Sequence, residues 1–376
     1  MLGTVKPSVI VVGAGIVGCT VAYELAKSGA PVQVLEPRAP GQGATRASAG
    51  ILAPDIEGHG SSLLRVLGRR SIALYDDFIA DLRADSGHEI VYQRNGTFEL
   101  AFSEADERRL AELAAALTRD QIESKWVTPS EFHAIEPQAA KNARGALLIP
   151  IHGFVGVTAL TLAAASAAQK YGATFMSETG AIRIFSMPDG RVGVQSASRN
   201  WDAERVVLAA GSWSSLITID AADRVPVKPI RGQLVQLRTE PGAIRRVVWG
   251  PDGYLVPWPD GSILVGSTVE DVGFDENHTD EAVARLRAAA AALIPSLANA
   301  EVTGVRTGLR PKGPDDLPML GHSNAVPGLI YATAHYRNGV MFAPLTVQLV
   351  ADIVFGRAAD PALGDLDPQR FGSIRL

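Results

Sequence analysis

Residues 9–18 read Val-Ile-Val-Val-Gly-Ala-Gly-Ile-Val-Gly, and residues 31–36 read Pro-Val-Gln-Val-Leu-Glu. Val9 to Val12 are apolar and β-branched and run straight into glycine, the pattern of a strand buried on both faces. Beyond Gly15, the apolar residues Ile16, Cys19, Val21, Ala22 and Leu25 fall at helical spacing until Gly29 stops the helix. Pro31 to Leu35 returns to a strand pattern and closes on Glu36, so the segment makes one βαβ unit in about 30 residues. Gly13-Ala14-Gly15-Ile16-Val17-Gly18 fills the pattern G-x-G-x-x-G within it. Gly13 permits the tight turn, Gly15 lets a pyrophosphate approach the backbone, and Gly18 lets helix and strand pack closely. The N–H groups opening the helix at Ile16 and Val17 face the phosphates with the positive end of its dipole. Glu36, followed by Pro37, supplies the carboxylate that ribose hydroxyls need about twenty residues on. A Rossmann-like dinucleotide site follows, with the choice between NAD and FAD open.

The chain has 376 residues, 47% hydrophobic and 20% charged. This is globular composition, in a chain long enough for two domains. A net charge of −5 argues against a nucleic-acid or anionic-membrane surface. The single cysteine, Cys19, excludes an internal disulfide, a Cys-x-x-Cys pair and a multi-cysteine zinc site. No uninterrupted apolar run reaches the ~18 residues of a membrane span. The stretch from Val9 to Leu25 is broken by glycines and lacks a signal-peptide cleavage pattern, so a soluble cytoplasmic protein is expected.

Farther along, residues 90–102 predict a hairpin around Asn95-Gly96, and Ser103 with Asp106 a capping box opening a helix. A helix over Thr158 to Lys170 closes before Gly172. A meander turns at Pro188-Asp189-Gly190, and a buried strand over 205–210 ends on Gly211. Several strands over 230–268 turn at Pro259-Asp260-Gly261, and a helix follows near 279–294. The strand Leu329–Thr333 leads through a loop to a helix around Ala343–Phe355, with its first turn expected near Val340. The expected fold class is α/β, in two domains of α+β character. A Rossmann-like domain of 1–84, 146–222 and 304–376 is interleaved with a mostly antiparallel domain of 85–145 and 223–303. In Gly41 to Ile51, small residues would let the backbone lie against a flat ring system while Thr45 or Ser48 reaches phosphate or ribityl oxygens; an ordinary loop fits the composition equally. His59, His133, His152 and His322 lack ligand spacing and read as structural or surface residues. Asp315-Asp316 reads as a solvated turn, and Arg69-Arg70 and Arg245-Arg246 as solvated faces.

Four stretches carry a resemblance: the glycine motif, Ser48-Ala49-Gly50-Ile51-Leu52, Gly308-Leu309-Arg310-Pro311 with Asp315-Asp316-Leu317-Pro318, and His335-Tyr336-Arg337-Asn338-Gly339-Val340-Met341-Phe342-Ala343-Pro344. Together they resemble the D-amino-acid oxidase family of flavoenzymes, and within it the glycine-oxidase branch tied to thiamin thiazole synthesis. The resemblance implies FAD, a p-hydroxybenzoate-hydroxylase-like fold, and oxidation of an amino acid to an imino acid with oxygen reduced to peroxide. It places the ADP portion on Gly13 to Gly18 and Glu36. Ala44, Thr45, Ser48 and Ala49 to Ile51 fall along the phosphates and flavin, with contacts near Ala181 and Gly211 and His335 to Met341 along the flavin. Tyr254 and Arg310 match positions that hold the substrate carboxylate, and Arg337 matches a further substrate-site arginine. Val269 stands where the branch carries a bulkier methionine, which bears on substrate size.

The expected activity is oxidative deamination of glycine or a small D- or N-alkyl amino acid by hydride transfer from Cα to flavin N5, with no acid–base residue assigned. The implied partners are a small amino acid and O2 or another acceptor; a homo-oligomer is implied by the resemblance alone. Noncovalent FAD is expected, because the sole cysteine lies in the first helix. A D-amino-acid or hydroxyproline dehydrogenase passing electrons to a quinone or partner protein, and a non-catalytic flavin scaffold, are the competing readings. A flavin hydroxylase would carry a Gly-Asp motif where this chain has Ala334-His335.

Overall fold

A computed structural model describes residues 8–57, 62–177, 182–222 and 224–371. Among them, six strands form a sheet in the order Met319–His322, Leu329–Thr333, Arg205–Leu208, Val9–Val12, Val32–Leu35, Thr174–Met176. The last five are parallel, and the first is antiparallel to its neighbour. Val9–Val12 is buried along its whole length, as its apolar run requires. The helices Ile16–Lys27, Val157–Lys170 and Ala343–Phe355 cover the sheet, and the first packs against both others. Ala163, Ala164, Ala167 and Ala168 are buried in the middle helix, and their small side chains allow close approach.

An eight-stranded sheet follows the order Glu301–Lys312, Lys228–Arg238, Ser262–Gly266, Gly253–Pro257, Val247–Gly250, Thr97–Ala101, Gly145–Ile149, Lys125–Val127. Its neighbours are antiparallel except Val247–Gly250 with Thr97–Ala101. Helix Asp280–Leu293 packs on it and buries Leu286, Ala290 and Leu293 in its core. The capping box at Ser103 forms, with Asp106 bonding back to the Ser103 amide.

Three expectations fail. Residues 90–102 do not make a hairpin: Tyr92–Gln93 pairs with Gly153–Val155, whereas Thr97–Ala101 belongs to the eight-stranded sheet. The turn residues bond far away instead, with the Gly96 amide donating to the His152 carbonyl at 3.0 Å and Asn95 Nδ2 to the Arg245 carbonyl at 2.7 Å. Arg69 is not on a solvated face. It donates through Nε to the fully buried carboxylate of Asp55 at 2.8 Å, which His152 also engages through Nε2 at 3.0 Å. The helix expected around Ala343–Phe355 forms with those bounds, but its first turn is not near Val340, because a turn over 339–342 precedes it and Phe342 is its N-cap. His59 and Ala181 lie outside the described residues.

Candidate active site

A cavity of about 640 Å³ lies where the carboxyl ends of the parallel strands meet the eight-stranded sheet. Crevices at such strand ends are where doubly wound sheets take ligands. Gly13, Gly15, Ile16, Val17, Glu36 and Pro37 line its nucleotide side. Gly13 has φ +105°, a conformation that favours glycine, and its amide donates to the Leu35 carbonyl at 2.8 Å. Gly18 is not on the wall. A Cβ there would collide with the Gly13 carbonyl, so it serves the close packing of helix on turn. The first-turn N–H groups have no carbonyl of their own helix to bond, and one of them, that of Ile16, donates to Thr45 Oγ1 at 3.0 Å.

Ala44, Thr45, Ser48, Ala49, Gly50 and Ile51 form a second wall, with Gly211 beside them. The run over 41–51 is therefore more than a connecting loop: Ala44–Ala47 is a 3-10 turn held against the strand Glu301–Lys312. A Cβ on Gly308 would press on Ala44 and Ala47.

His335, Tyr336, Arg337, Gly339 and Val340 make the third wall. Asn338 and Met341 stand behind it. Asn338 is buried and its carbonyl accepts from the Phe342 amide at 2.8 Å, while Met341 packs where a Cβ on Gly68 would sit. The turn is pinned from outside by the buried Tyr75, whose hydroxyl donates to the Val340 carbonyl at 2.5 Å. His335 Nε2 lies 3.0 Å from Thr346 Oγ1, and burial pushes its pKa down to about 4, so the ring is neutral.

Tyr254 and Arg310 both reach this cavity from the eight-stranded sheet. Arg310 Nη1 donates to the Thr268 carbonyl at 2.9 Å, and the Tyr254 ring packs on Trp249 at 4.7 Å between centroids. Val269 does not line the cavity and is 54% exposed. Sequence reasoning missed Gly232, Ser267 and Trp213 on the wall. A glycine inside a strand pattern was the available signal for Gly232. Trp213 carries a clasp: the Arg38 guanidinium stacks on its ring at 4.7 Å and holds Glu276 at 2.7 Å, from the loop that also brings Phe274 against the indole.

The donor set fits a flavin dinucleotide: a helix N-terminus, a carboxylate at the second strand's tip, small hydroxyls, and walls of glycine and alanine against which a planar ring can lie. Among the described residues no cluster of His, Cys, Asp and Glu could hold a metal ion, and no helix is long and apolar enough to cross a membrane.

Fold and cavity thus define a dinucleotide-binding protein with a Rossmann-like sheet. Residues 8–353 match the family described as FAD dependent oxidoreductase, and the chain belongs to it. A glycine oxidase of Geobacillus kaustophilus is 33% identical over 353 residues, covering 93% of each chain. The solved structure of glycine oxidase from that organism superposes with a TM-score of 0.89 at 30% identity, covering 99% of this chain and 100% of that one. The bifunctional protein ThiO/ThiG of Trichormus variabilis is 30% identical over 369 residues; they are 96% of this chain but 55% of that protein, so the chain spans about half its length. The protein is an FAD-dependent oxidoreductase.

Proposed function

We propose that the substrate is glycine or another small amino acid of D or N-alkyl type, oxidised at its Cα–N bond to the imino acid, with O2 taking the two electrons and two protons as H2O2. The observation that carries this is the presence of Arg310 and Tyr254 on the same cavity wall system as the nucleotide motif. FAD, when bound, supplies the two-electron acceptor; Gly13 to Val17, Glu36, Ala44 to Ile51 and His335 to Val340 would hold it.

Arg310 offers parallel N–H groups to an α-carboxylate, and its link to the Thr268 carbonyl fixes the orientation of the fork. The Tyr254 hydroxyl adds a donor, and Arg337 adds positive charge on the same lining. Glu36 is the single acidic side chain on the lining among the described residues, and amides of Ala14 and Arg38 already engage its two oxygens. His335 is neutral and tied to Thr346. No carboxylate is therefore placed to act as base, and the substrate amine must be neutral before its Cα–H is transferred. Binding and orientation carry the catalysis.

Arg310→Leu tests the reading. Truncating one side of a desolvated charge pair costs about 2–5 kcal/mol, so kcat/KM for glycine should fall roughly 30- to several-thousand-fold. A simple amine without a carboxylate should lose much less. Equal losses for both would mean that Arg310 supports fold or flavin, and would contradict the amino-acid assignment.

A further inference from the structure

We propose that Gly232 and Gly266 are positioning residues, forming a side-chain-free floor on which Arg310 and Tyr254 lie flat and converge on the substrate carboxylate. The inference rests on the carboxylate reading of those two residues and deepens it.

Four neighbouring strands run in the order Glu301–Lys312, Lys228–Arg238, Ser262–Gly266, Gly253–Pro257. Arg310 comes from the first and Tyr254 from the fourth, while the two glycines occupy the two strands between them. Gly266 is directly opposite Tyr254; Gly232 is two residues along from Ile230, the partner of Arg310. Both side chains therefore lean inward over the central strands.

A Cβ on Gly232 would be equally close to Cζ, Nη1 and Nη2 of Arg310, far inside van der Waals contact. A point equidistant from these three coplanar atoms, and farther from them than the radius of the circle through them, stands off the guanidinium plane over its Nη1/Nη2 end. The fork is stacked on bare backbone, with its Nη1 edge held by the Thr268 carbonyl at 2.9 Å. A Cβ on Gly266 would meet the hydroxyl and ring tip of Tyr254 in the same way. Neither glycine has the positive φ that would make its own backbone demand the residue. What it provides is clearance.

The colliding atom at Gly232 is the far end of a flexible chain, so a methyl there displaces the guanidinium while leaving the sheet in place. Displacing a binding group by about 1 Å can cost ~100-fold in rate. The FAD-loaded Gly232→Ala enzyme should keep its FAD content and melt close to wild type. Its kcat/KM for glycine should fall about 100-fold, and acetate, titrated through the flavin absorption as a carboxylate probe, should bind correspondingly more weakly.

The deciding comparison is a double-mutant cycle. In an Arg310→Leu background, Gly232→Ala should cause no further loss of acetate affinity or of kcat/KM, because its target is gone. Equal losses in both backgrounds would overturn the proposal, as would acetate binding weakened by Arg310→Leu but untouched by Gly232→Ala. If Arg310→Leu itself changes neither quantity, the carboxylate reading falls instead. Should Gly232→Ala alone fail to fold or hold FAD, the double variant decides: melting like Arg310→Leu supports the floor, and failing as well overturns it. Gly266→Ala is read in the same way against Tyr254→Leu.

Discussion

Glu36 and Ala14 are joined across 22 residues: the Ala14 amide donates to Glu36 Oε2 at 2.8 Å, while Oε1 accepts from the Arg38 amide at 2.9 Å. The carboxylate thus braces the glycine turn as well as marking the tip of the second strand. Each oxygen keeps a second lone pair for a ribose hydroxyl.

Glu36→Ala should consequently loosen FAD more than it alters chemistry. Hydrogen bonds to a charged group are worth about 1.5–3 kcal/mol, so FAD should bind roughly ten- to a hundredfold more weakly. The variant should leave gel filtration largely colourless and recover turnover with excess FAD. Full occupancy after gel filtration would count against the assignment.

The flavin should be noncovalent. Cys19 is fully buried in the first helix, its Sγ lies 3.3 Å from the Ala14 carbonyl, and burial pushes its thiol pKa far up, so no thiolate is available to attack a flavin. Acid precipitation should release all the yellow colour. Colour retained in a washed pellet would refute this.

Tyr75→Phe should destabilise the protein through the flavin-side turn. The change leaves the Val340 carbonyl with the Ala343 amide, at 3.0 Å, as its donor and removes one buried hydrogen bond, at a cost of about 0.5–1.5 kcal/mol. Tm should drop by about 1–2 °C and FAD should dissociate faster. An unchanged Tm would mean that the hydroxyl does not pin the turn.

His335 makes stability depend on pH in a defined window. Its pKa is lowered from 6.5 to about 4 in the folded chain, so between these values the unfolded chain binds a proton that the folded chain does not. The stabilisation is present above 6.5 and is lost as pH falls toward 4. Glu136, raised by burial to about 7, acts in the opposite sense, and its share is lost as pH rises. The difference in Tm between wild type and His335→Asn isolates the histidine. It should shrink on acidification through this window; a gap independent of pH would contradict the account.

The βαβ unit was legible because its determinants are local: a β-branched run, a turn that needs positive φ at Gly13, and a helix stop at Gly29. The capping box at Ser103 is local too. Asn95-Gly96 misled because its partners, His152 and Arg245, are remote, and Arg69 misled because the buried Asp55 that holds it is not visible as buried in a sequence. Gly232, Ser267 and Trp213 gave no motif. Their places on the wall depend on which strands become neighbours, a property of the assembled sheet.

The most direct measurement is anaerobic mixing of the yellow holoenzyme with glycine and a panel of small D- and N-alkyl amino acids. At least one of them should bleach the flavin rapidly, and readmitted O2 should restore the colour with release of H2O2. Yellow protein that no amino acid bleaches would contradict the proposed activity. Bleaching that O2 fails to reverse, but an artificial acceptor does, would instead assign the electrons to a quinone or partner protein.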